Sequence, residues 1–159
     1  MPAQLPTLSP PDSAPQGGRT VLQAPLAERP ASEPVQGQPL LAGIPILVVD
    51  DDPPSARLVR VLLAAAGADV RTAYSAEEAL ALLPAFPARV FVVDLILPGM
   101  SGFVLARRLR AMSPDAVILA ISVVHGADTE RRAIESGCAG LIHKPIDVNS
   151  FVQTVAGYF

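Results

Sequence analysis

The chain contains 159 residues and carries a formal net charge of −3. Half of its residues are hydrophobic and 17% are charged, which is too apolar a composition for a chain that is disordered throughout. No apolar run reaches the length of a membrane-spanning helix, and the acidic balance offers no positive field for a nucleic acid. We therefore expect a globular protein with neither a membrane nor a nucleic acid as its direct partner.

The cysteine content indicates the compartment. Cys138 is the only cysteine, so no intramolecular disulfide can form, and the N-terminus lacks the basic start and apolar segment of a secretory signal. A reducing cytoplasm fits these features best. With Gly137 and Ala139 beside it, Cys138 is predicted to be a small packed residue rather than a reactive thiol.

The first 43 residues differ in composition from the rest. They hold nine of the seventeen prolines, no aromatic residue and many Gln, Ser, Ala and Gly residues. Such a segment cannot bury enough apolar surface to offset its ordering entropy. We predict a disordered proline-rich tail over residues 1–43 and a folded domain over 44–159. A proline-rich ligand is the alternative, but no two of these prolines stand three apart as a PxxP motif requires.

After residue 43, short apolar runs alternate with helical patterns. The runs predict five strands, at residues 46–49, 70–73, 90–93, 117–121 and 141–142. Several runs are continuous rather than alternating, which is typical of parallel strands buried on both faces. The segments between them carry apolar residues three or four apart, such as Leu58, Leu62 and Ala65. This order predicts an α/β fold of the (β/α)5 type, a doubly wound parallel sheet between two layers of helices.

Capping residues mark the starts of two predicted helices. Asp52 precedes Pro53, so it is interpreted as an N-cap before a proline at the first helical position rather than as a metal ligand. Ser75 and Glu78 stand three apart and form a capping box. Gly67 can close the first of these helices.

Carboxylates follow two of the predicted strands. Asp50 and Asp51 come directly after the first strand, and Asp94 comes directly after the third. If these strands are neighbours, the carboxylates converge at one edge of the sheet, where they repel each other unless a cation neutralises them. Oxygen ligands of this kind suit Mg²⁺ (or Mn²⁺), so the sequence predicts a metal site there.

The same edge carries a hydroxyl and an ammonium group. Ser122 ends the fourth strand and Lys144 follows the fifth. Together with the carboxylates, these groups can hold a phosphoryl group during an in-line transfer.

Four sequence segments together resemble the receiver domain of two-component response regulators. They are VVDDD at 48–52, DLILPGMSG at 94–102, Ser122, and Lys144-Pro145, and they occur in the family's usual order over about residues 44–159. The resemblance implies a flavodoxin-like fold. It also implies that Asp94 is the phosphoacceptor, that Asp51 and Asp94 bind the metal directly, that Asp50 holds it through water, and that the backbone carbonyl of Ile96 is a further ligand.

The resemblance also assigns the remaining site residues. Ser122 is implied to hydrogen-bond the phosphoryl group, and Lys144 to pair with a phosphoryl oxygen. Family members often have a cis peptide before the proline that follows this lysine, which would make Pro145 part of a rigid turn.

Four positions depart from the family pattern. Ser122 stands where threonine is more common, but it keeps the hydroxyl donor. Leu141 stands where an aromatic residue commonly moves with the switch, so an aromatic half of the switch is in doubt. Ile96 and Val124 flank the site where relatives often carry polar side chains that orient water. His125 and His143 have no further ligand at metal-binding spacing, so we interpret them as solvated loop residues.

We expect a stand-alone receiver that accepts a phosphoryl group on Asp94 from a histidine kinase or a histidine phosphotransfer protein. It would signal through contacts with a downstream protein, since the chain ends at Phe159 soon after the last predicted helix. We expect it to catalyse only its own phosphorylation and dephosphorylation. Two alternatives are a phosphohydrolase of the haloacid-dehalogenase type and a receiver-like scaffold without a switch.

Overall fold

The structure, a computed structural model, describes residues 37–159. Of the tail predicted over residues 1–43, residues 1–36 therefore lie outside the described residues. Within the described part, five strands and five helices alternate along the chain. They are β1 (Pro45–Val49), α1 (Pro53–Ala65), β2 (Asp69–Ala73), α2 (Ala76–Leu82), β3 (Val90–Asp94), α3 (Gly102–Met112), β4 (Val117–Ser122), α4 (Ala127–Glu135), β5 (Gly140–His143) and α5 (Phe151–Ala156).

The strands form one parallel sheet in the order β2-β1-β3-β4-β5. The chain moves from β1 to β2 and then returns past β1 to β3, so the strand order reverses between β1 and β3. Val49 pairs with Val93 in this register, which brings the residues after both strands to the same edge. The sequence-based prediction of a flavodoxin-like α/β fold is confirmed, and the reversal point is where such sheets bind ligands.

Each face of the sheet has its own apolar core. Leu47 and Val49 point to the face covered by α2, α3 and α4, whereas Ile46 and Val48 point to the face covered by α1 and α5. The four side chains are fully buried. This burial on both faces explains the continuous apolar run of β1. Among residues 37–159, no helix combines the length and apolar character needed to cross a membrane.

The packed part of the chain begins before the predicted boundary. Leu41 is fully buried in the core under α1, and its N–H donates to Ala66 O at 2.9 Å. The N–H of Gly43 donates to Gly67 O at the same distance, 2.9 Å. The compact unit starts at Gln38, whereas the composition predicted a boundary at Ile44. One buried leucine among prolines and glycines makes no periodic pattern, so its burial could not be predicted.

The predicted helix caps are present. Asp52 accepts a hydrogen bond from the N–H of Ser55 at 3.1 Å and is the N-cap of α1. Ser75 accepts from the N–H of Glu78 at 3.1 Å, and the Glu78 carboxylate accepts from the N–H of Tyr74 at 2.8 Å. The bonds to Asp52 and Ser75 satisfy N–H groups that the first turn of a helix would otherwise leave unpaired. The Glu78 carboxylate instead binds the N–H of Tyr74, the residue before the N-cap, and not the Ser75 N–H that the predicted capping box would use.

Candidate functional site

Three carboxylates converge at the carboxyl edge of the sheet. Oxygen atoms of Asp50, Asp51 and Asp94 lie within 4.8 Å of one another. Asp50 and Asp94 are buried, whereas Asp51 is exposed. Asp52 is directed to the start of α1, as predicted. The neighbouring positions of β1 and β3 thus place the acidic residues as the sequence predicted.

Lys144 bridges the two buried carboxylates. Its Nζ donates to Asp50 Oδ2 at 2.8 Å and to Asp94 Oδ2 at 2.7 Å. Burial works to lower the pKa of Lys144, but the hydrogen bonds to the two carboxylates outweigh it and raise that pKa. The Lys144-Pro145 peptide bond is cis, the form that the family resemblance implied.

Asp94 is held by backbone as well as by the lysine. Its Oδ1 accepts from the N–H of Ile96 at 2.8 Å. Burial raises the pKa of the Asp94 carboxyl, against the opposing effect of the hydrogen bonds from Lys144 and Ile96. Gly102 makes this loop possible, because a Cβ there would lie 2.1 Å from the carbonyl oxygen of Asp94. Helix α3 can therefore begin directly beside the end of β3.

Asp50 has a partner that the sequence analysis missed. The hydroxyl of Ser55 donates to Asp50 Oδ2 at 2.6 Å. The N–H of Asp52 donates to the other oxygen, Oδ1, at 2.9 Å. The buried carboxylate therefore accepts three hydrogen bonds in all, counting that from Lys144. A serine at the third position of a helix that follows an acidic strand end is the one signal that could have indicated this contact.

Ser122 is fully buried at the end of β4 and bonds within its own loop. Its Oγ accepts from the N–H of Val124 at 3.0 Å. Next to it lies a cavity of about 190 Å³, lined mainly by apolar side chains. Its lining residues are Leu95, Ile96, Phe103, Ser122, Val124, Thr129 and Arg132. The hydroxyl thus has space beside it toward α4.

The face around the end of β5 differs from the prediction in one respect. His125 and His143 were interpreted as solvated loop residues, and both are exposed. However, His143 is the last residue of β5, and its ring stacks on that of His125 at a centroid distance of 4.4 Å. The strand continues one residue past the apolar run, which the run alone could not show. Leu141 is half-buried and packs against the core under α3 and α4.

Cys138 is the packed residue that was predicted. It is buried between α4 and β5, and burial raises the pKa of its thiol to about 11. A thiol with so high a pKa is a poor nucleophile at neutral pH.

The donor atoms at the acidic edge fit a magnesium ion. They are all oxygens, and the exposed carboxylate of Asp51 lies next to the buried carboxylate of Asp94. Mg²⁺ typically takes one or two carboxylates and keeps several waters, which this open edge can admit. The predicted role of the Ile96 carbonyl stays a prediction.

Sequence comparisons agree with the geometry. The family model of the response regulator receiver domain matches residues 46–156. An uncharacterized 14.6 kDa protein of Leptolyngbya boryana is 38% identical over 120 residues, which cover 74% of this chain and 92% of that protein. The sensor histidine kinase RcsC of Salmonella typhi is 30% identical over 113 residues, which cover 71% of this chain but only 12% of the kinase.

Solved structures show the same fold. The chemotaxis protein CheY4 of Vibrio cholerae superposes with a TM-score of 0.71 at 26% identity, over 74% of this chain and 100% of that one. The BeF3-activated receiver domain of DrrB gives a TM-score of 0.67 at 25% identity, over 73% of this chain and 97% of that one.

Proposed function

Because this chain belongs to the response regulator receiver domain family, we propose that it accepts a phosphoryl group on Asp94. The observation that carries the proposal is the position of the Asp94 carboxylate, which lies beside two other carboxylates and within hydrogen-bonding distance of Lys144. In the transfer, a carboxylate oxygen of Asp94 bonds to phosphorus while the bond from phosphorus to a histidine nitrogen of the donor breaks. The donor histidine leaves and takes up a proton.

Asp51 and Asp94 would bind Mg²⁺ (or Mn²⁺) directly, with the backbone carbonyl of Ile96, while Asp50 would hold it through water. The ion supplies positive charge that offsets the charge of the phosphoryl oxygens and the carboxylates. Asp50 and Lys144 are already hydrogen-bonded to each other in this structure. Lys144 therefore has to exchange a carboxylate for a phosphoryl oxygen during the reaction.

Ser122 would respond to the phosphoryl group. Its Oγ now accepts a hydrogen bond from its own loop, and its hydrogen can be donated to a phosphoryl oxygen. If the Ser122 hydroxyl turned toward Asp94, it would draw inward the loop that follows it and leads to α4. The ends of β4 and β5 would move together, because the N–H of Lys144 donates to Ser122 O at 2.8 Å. We propose that the resulting change at α4 alters affinity for a downstream protein.

The phosphoryl donor has to approach across the rim of the site. A groove of about 500 Å³ lies between the start of α1 and the loop after β5, next to Lys144. Its apolar lining consists of Pro54, Leu58, Val123, Pro145 and Ile146. We propose that a histidine kinase or a histidine phosphotransfer protein packs here, because the groove is lined by apolar side chains and by Lys144, whose Nζ is bonded to the Asp94 carboxylate. Such a role places the protein in the cytoplasm, where ATP-dependent kinases work.

The chain would then catalyse only its own phosphorylation and dephosphorylation. The haloacid-dehalogenase alternative is not favoured, because the family model and the solved structures match a receiver. The scaffold alternative is not favoured either, since the acidic residues, Ser122 and Lys144 are all in place.

The test is phosphorylation of the purified chain by phosphoramidate in Mg²⁺, followed by mass spectrometry. We expect one phosphoryl group per chain in the wild type and none in Asp94→Asn. Asp52→Asn is a matched control, because asparagine is as good an N-cap as aspartate. A phosphoryl group that persists in Asp94→Asn would overturn the assignment of the acceptor.

A further inference from the structure

Ser55 connects the start of α1 to the acidic site through two different hydrogen bonds. Its N–H donates to the carboxylate of Asp52 at 3.1 Å, which is the capping bond. Its hydroxyl donates to Asp50 Oδ2 at 2.6 Å, which is a contact to a fully buried carboxylate. The capping bond stabilises the helix, but the second bond has no role in capping.

The backbone of α1 cannot replace this hydroxyl. The first turn of a helix normally offers free N–H groups to nearby anions. Here the first two positions are Pro53 and Pro54, which have no N–H. The next two N–H groups, of Ser55 and Ala56, both donate to Asp52. The Ser55 side chain is therefore the donor that the first turn of α1 provides to Asp50.

The same oxygen of Asp50 also accepts from Lys144. Nζ of Lys144 lies 2.8 Å from Asp50 Oδ2 and 2.7 Å from Asp94 Oδ2. When Lys144 pairs with a phosphoryl oxygen, Asp50 loses that donor. The Ser55 hydroxyl then remains on Oδ2, and the N–H of Asp52 remains on Oδ1. With one donor on each oxygen, rotation of the carboxylate would break a hydrogen bond.

We propose that Ser55 is a positioning residue of the metal site, which keeps the Asp50 carboxylate oriented toward the bound Mg²⁺ when Lys144 changes partners. This rests on the function proposed above. Removing a hydrogen-bond partner of a metal-binding side chain typically weakens metal binding by about tenfold or more. Loss of the hydroxyl should therefore weaken Mg²⁺ binding by about tenfold. It should raise the half-saturating Mg²⁺ concentration for phosphorylation more than it lowers the maximal rate.

The experiment compares Ser55→Ala, Ser55→Thr and Ser55→Val in the full chain. Threonine and valine have nearly the same shape, but only threonine has a hydroxyl, so this pair isolates the hydrogen bond even if the alanine variant folds poorly. Mg²⁺ affinity is measured by calorimetry, and the Mg²⁺ dependence of phosphorylation is measured with phosphoramidate. Ser75→Ala is the matched control, because it removes the side-chain cap of α2, which makes no hydrogen bond to the Asp50 carboxylate.

We expect Ser55→Thr to bind Mg²⁺ like the wild type, and Ser55→Ala and Ser55→Val to bind it about tenfold more weakly. Ser75→Ala should melt at a lower temperature with unchanged Mg²⁺ affinity. Equal affinities of the threonine and valine variants would overturn the role of Ser55 and leave the proposed function standing. A wild type that neither binds Mg²⁺ nor accepts a phosphoryl group would overturn both.

Discussion

On the α1 side of the site, the buried carboxylate of Asp50 accepts hydrogen bonds from Ser55, Lys144 and the N–H of Asp52. On the α4 side, the buried hydroxyl of Ser122 accepts one from its own loop and borders a cavity of about 190 Å³. The first arrangement fixes its side chains in place before any ligand arrives. The second leaves room for a side chain to turn. A site of this kind can bind its metal with little rearrangement and still change shape at α4.

The difference has an energetic basis. Buried charges are stable only when they are paired and hydrogen-bonded, so breaking a hydrogen bond on the α1 side costs free energy unless other donors remain. A neutral hydroxyl next to an apolar cavity has only one weak bond to exchange, which costs much less. Phosphorylation should therefore act on the molecule mainly through the α4 side.

The largest effect is expected from breaking the α1 side at Asp51. Asp51→Ala removes a carboxylate that lies within 4.8 Å of those of Asp50 and Asp94. With fewer anionic ligands, Mg²⁺ binding and phosphorylation should both be lost. Calorimetry with Mg²⁺ and labelling with phosphoramidate measure the two. Asp52→Asn serves as the control, and unchanged binding and labelling in Asp51→Ala would contradict the acidic site.

A smaller effect is expected from adding polar groups on the α4 side. Ile96 and Val124 are exposed by 52% and 43% at the rim, and neither can hydrogen-bond a water placed in line with the bond from Asp94 to phosphorus. We expect a long-lived phosphorylated form. Ile96→Asn or Val124→Glu should speed its decay by about tenfold or more, because either side chain can hydrogen-bond and orient the attacking water, and the glutamate carboxylate can also accept its proton.

Decay of the purified phosphorylated protein in Mg²⁺ measures this effect. Ile96→Leu and Val124→Ile are the matched controls and should decay like the wild type. A wild type that loses its phosphate within seconds, with no acceleration in either polar variant, would show that exclusion of water is not what controls the lifetime.

The switch itself is tested at Ser122. Ser122→Ala should still take up a phosphoryl group, but α4 should no longer respond, because the hydroxyl is the proposed contact from β4. The comparison is between NMR spectra with and without BeF3 and Mg²⁺. Ser122→Thr keeps the hydroxyl and should behave like the wild type. A full response in Ser122→Ala would place the switch elsewhere, and Leu141 has no polar group with which to replace it.

The smallest effect concerns the start of the domain. A chain that begins at Gly37 should melt within a few degrees of the full chain, because the sequence of residues 1–36 has no periodic apolar face that could add to the core. A chain that begins at Ile44 also loses Leu41, whose full burial is worth about 2 kcal/mol. That loss should lower the melting temperature by about 5–10 °C. Equal melting of the two truncated chains would mean that Leu41 does not stabilise the domain.

Much of the fold could be predicted because its signals are local. The run from Ile46 to Val49 shows a strand buried on both faces, and the carboxylates directly after two strands have to meet if those strands pair. The handedness of the crossovers placed helices on both faces of the sheet, whereas the strand order was implied only by the family resemblance. Asp52 could be recognised as a helix N-cap rather than a metal ligand because a proline follows it.

The contacts that were missed depend on distances between separate elements. The bond from Ser55 to Asp50 requires the exact direction in which α1 leaves the sheet, and a serine near a helix start is usually a cap. The stack of His125 on His143 joins two segments that the sequence shows only as separate polar positions. The burial of Leu41 was missed for a different reason, because a single buried residue makes no periodic pattern.

The histidine stack also has a practical consequence for spectroscopy. His125 and His143 are the only two histidines among the 159 residues, and their ring centroids are 4.4 Å apart. All imidazole signals in the proton spectrum of the chain therefore come from this one stacked pair. Each ring also shifts the resonances of the other. One of the two rings lies three residues after Ser122 and the other directly precedes Lys144. A simple proton spectrum can therefore follow the loop after β4 relative to β5 without any introduced probe.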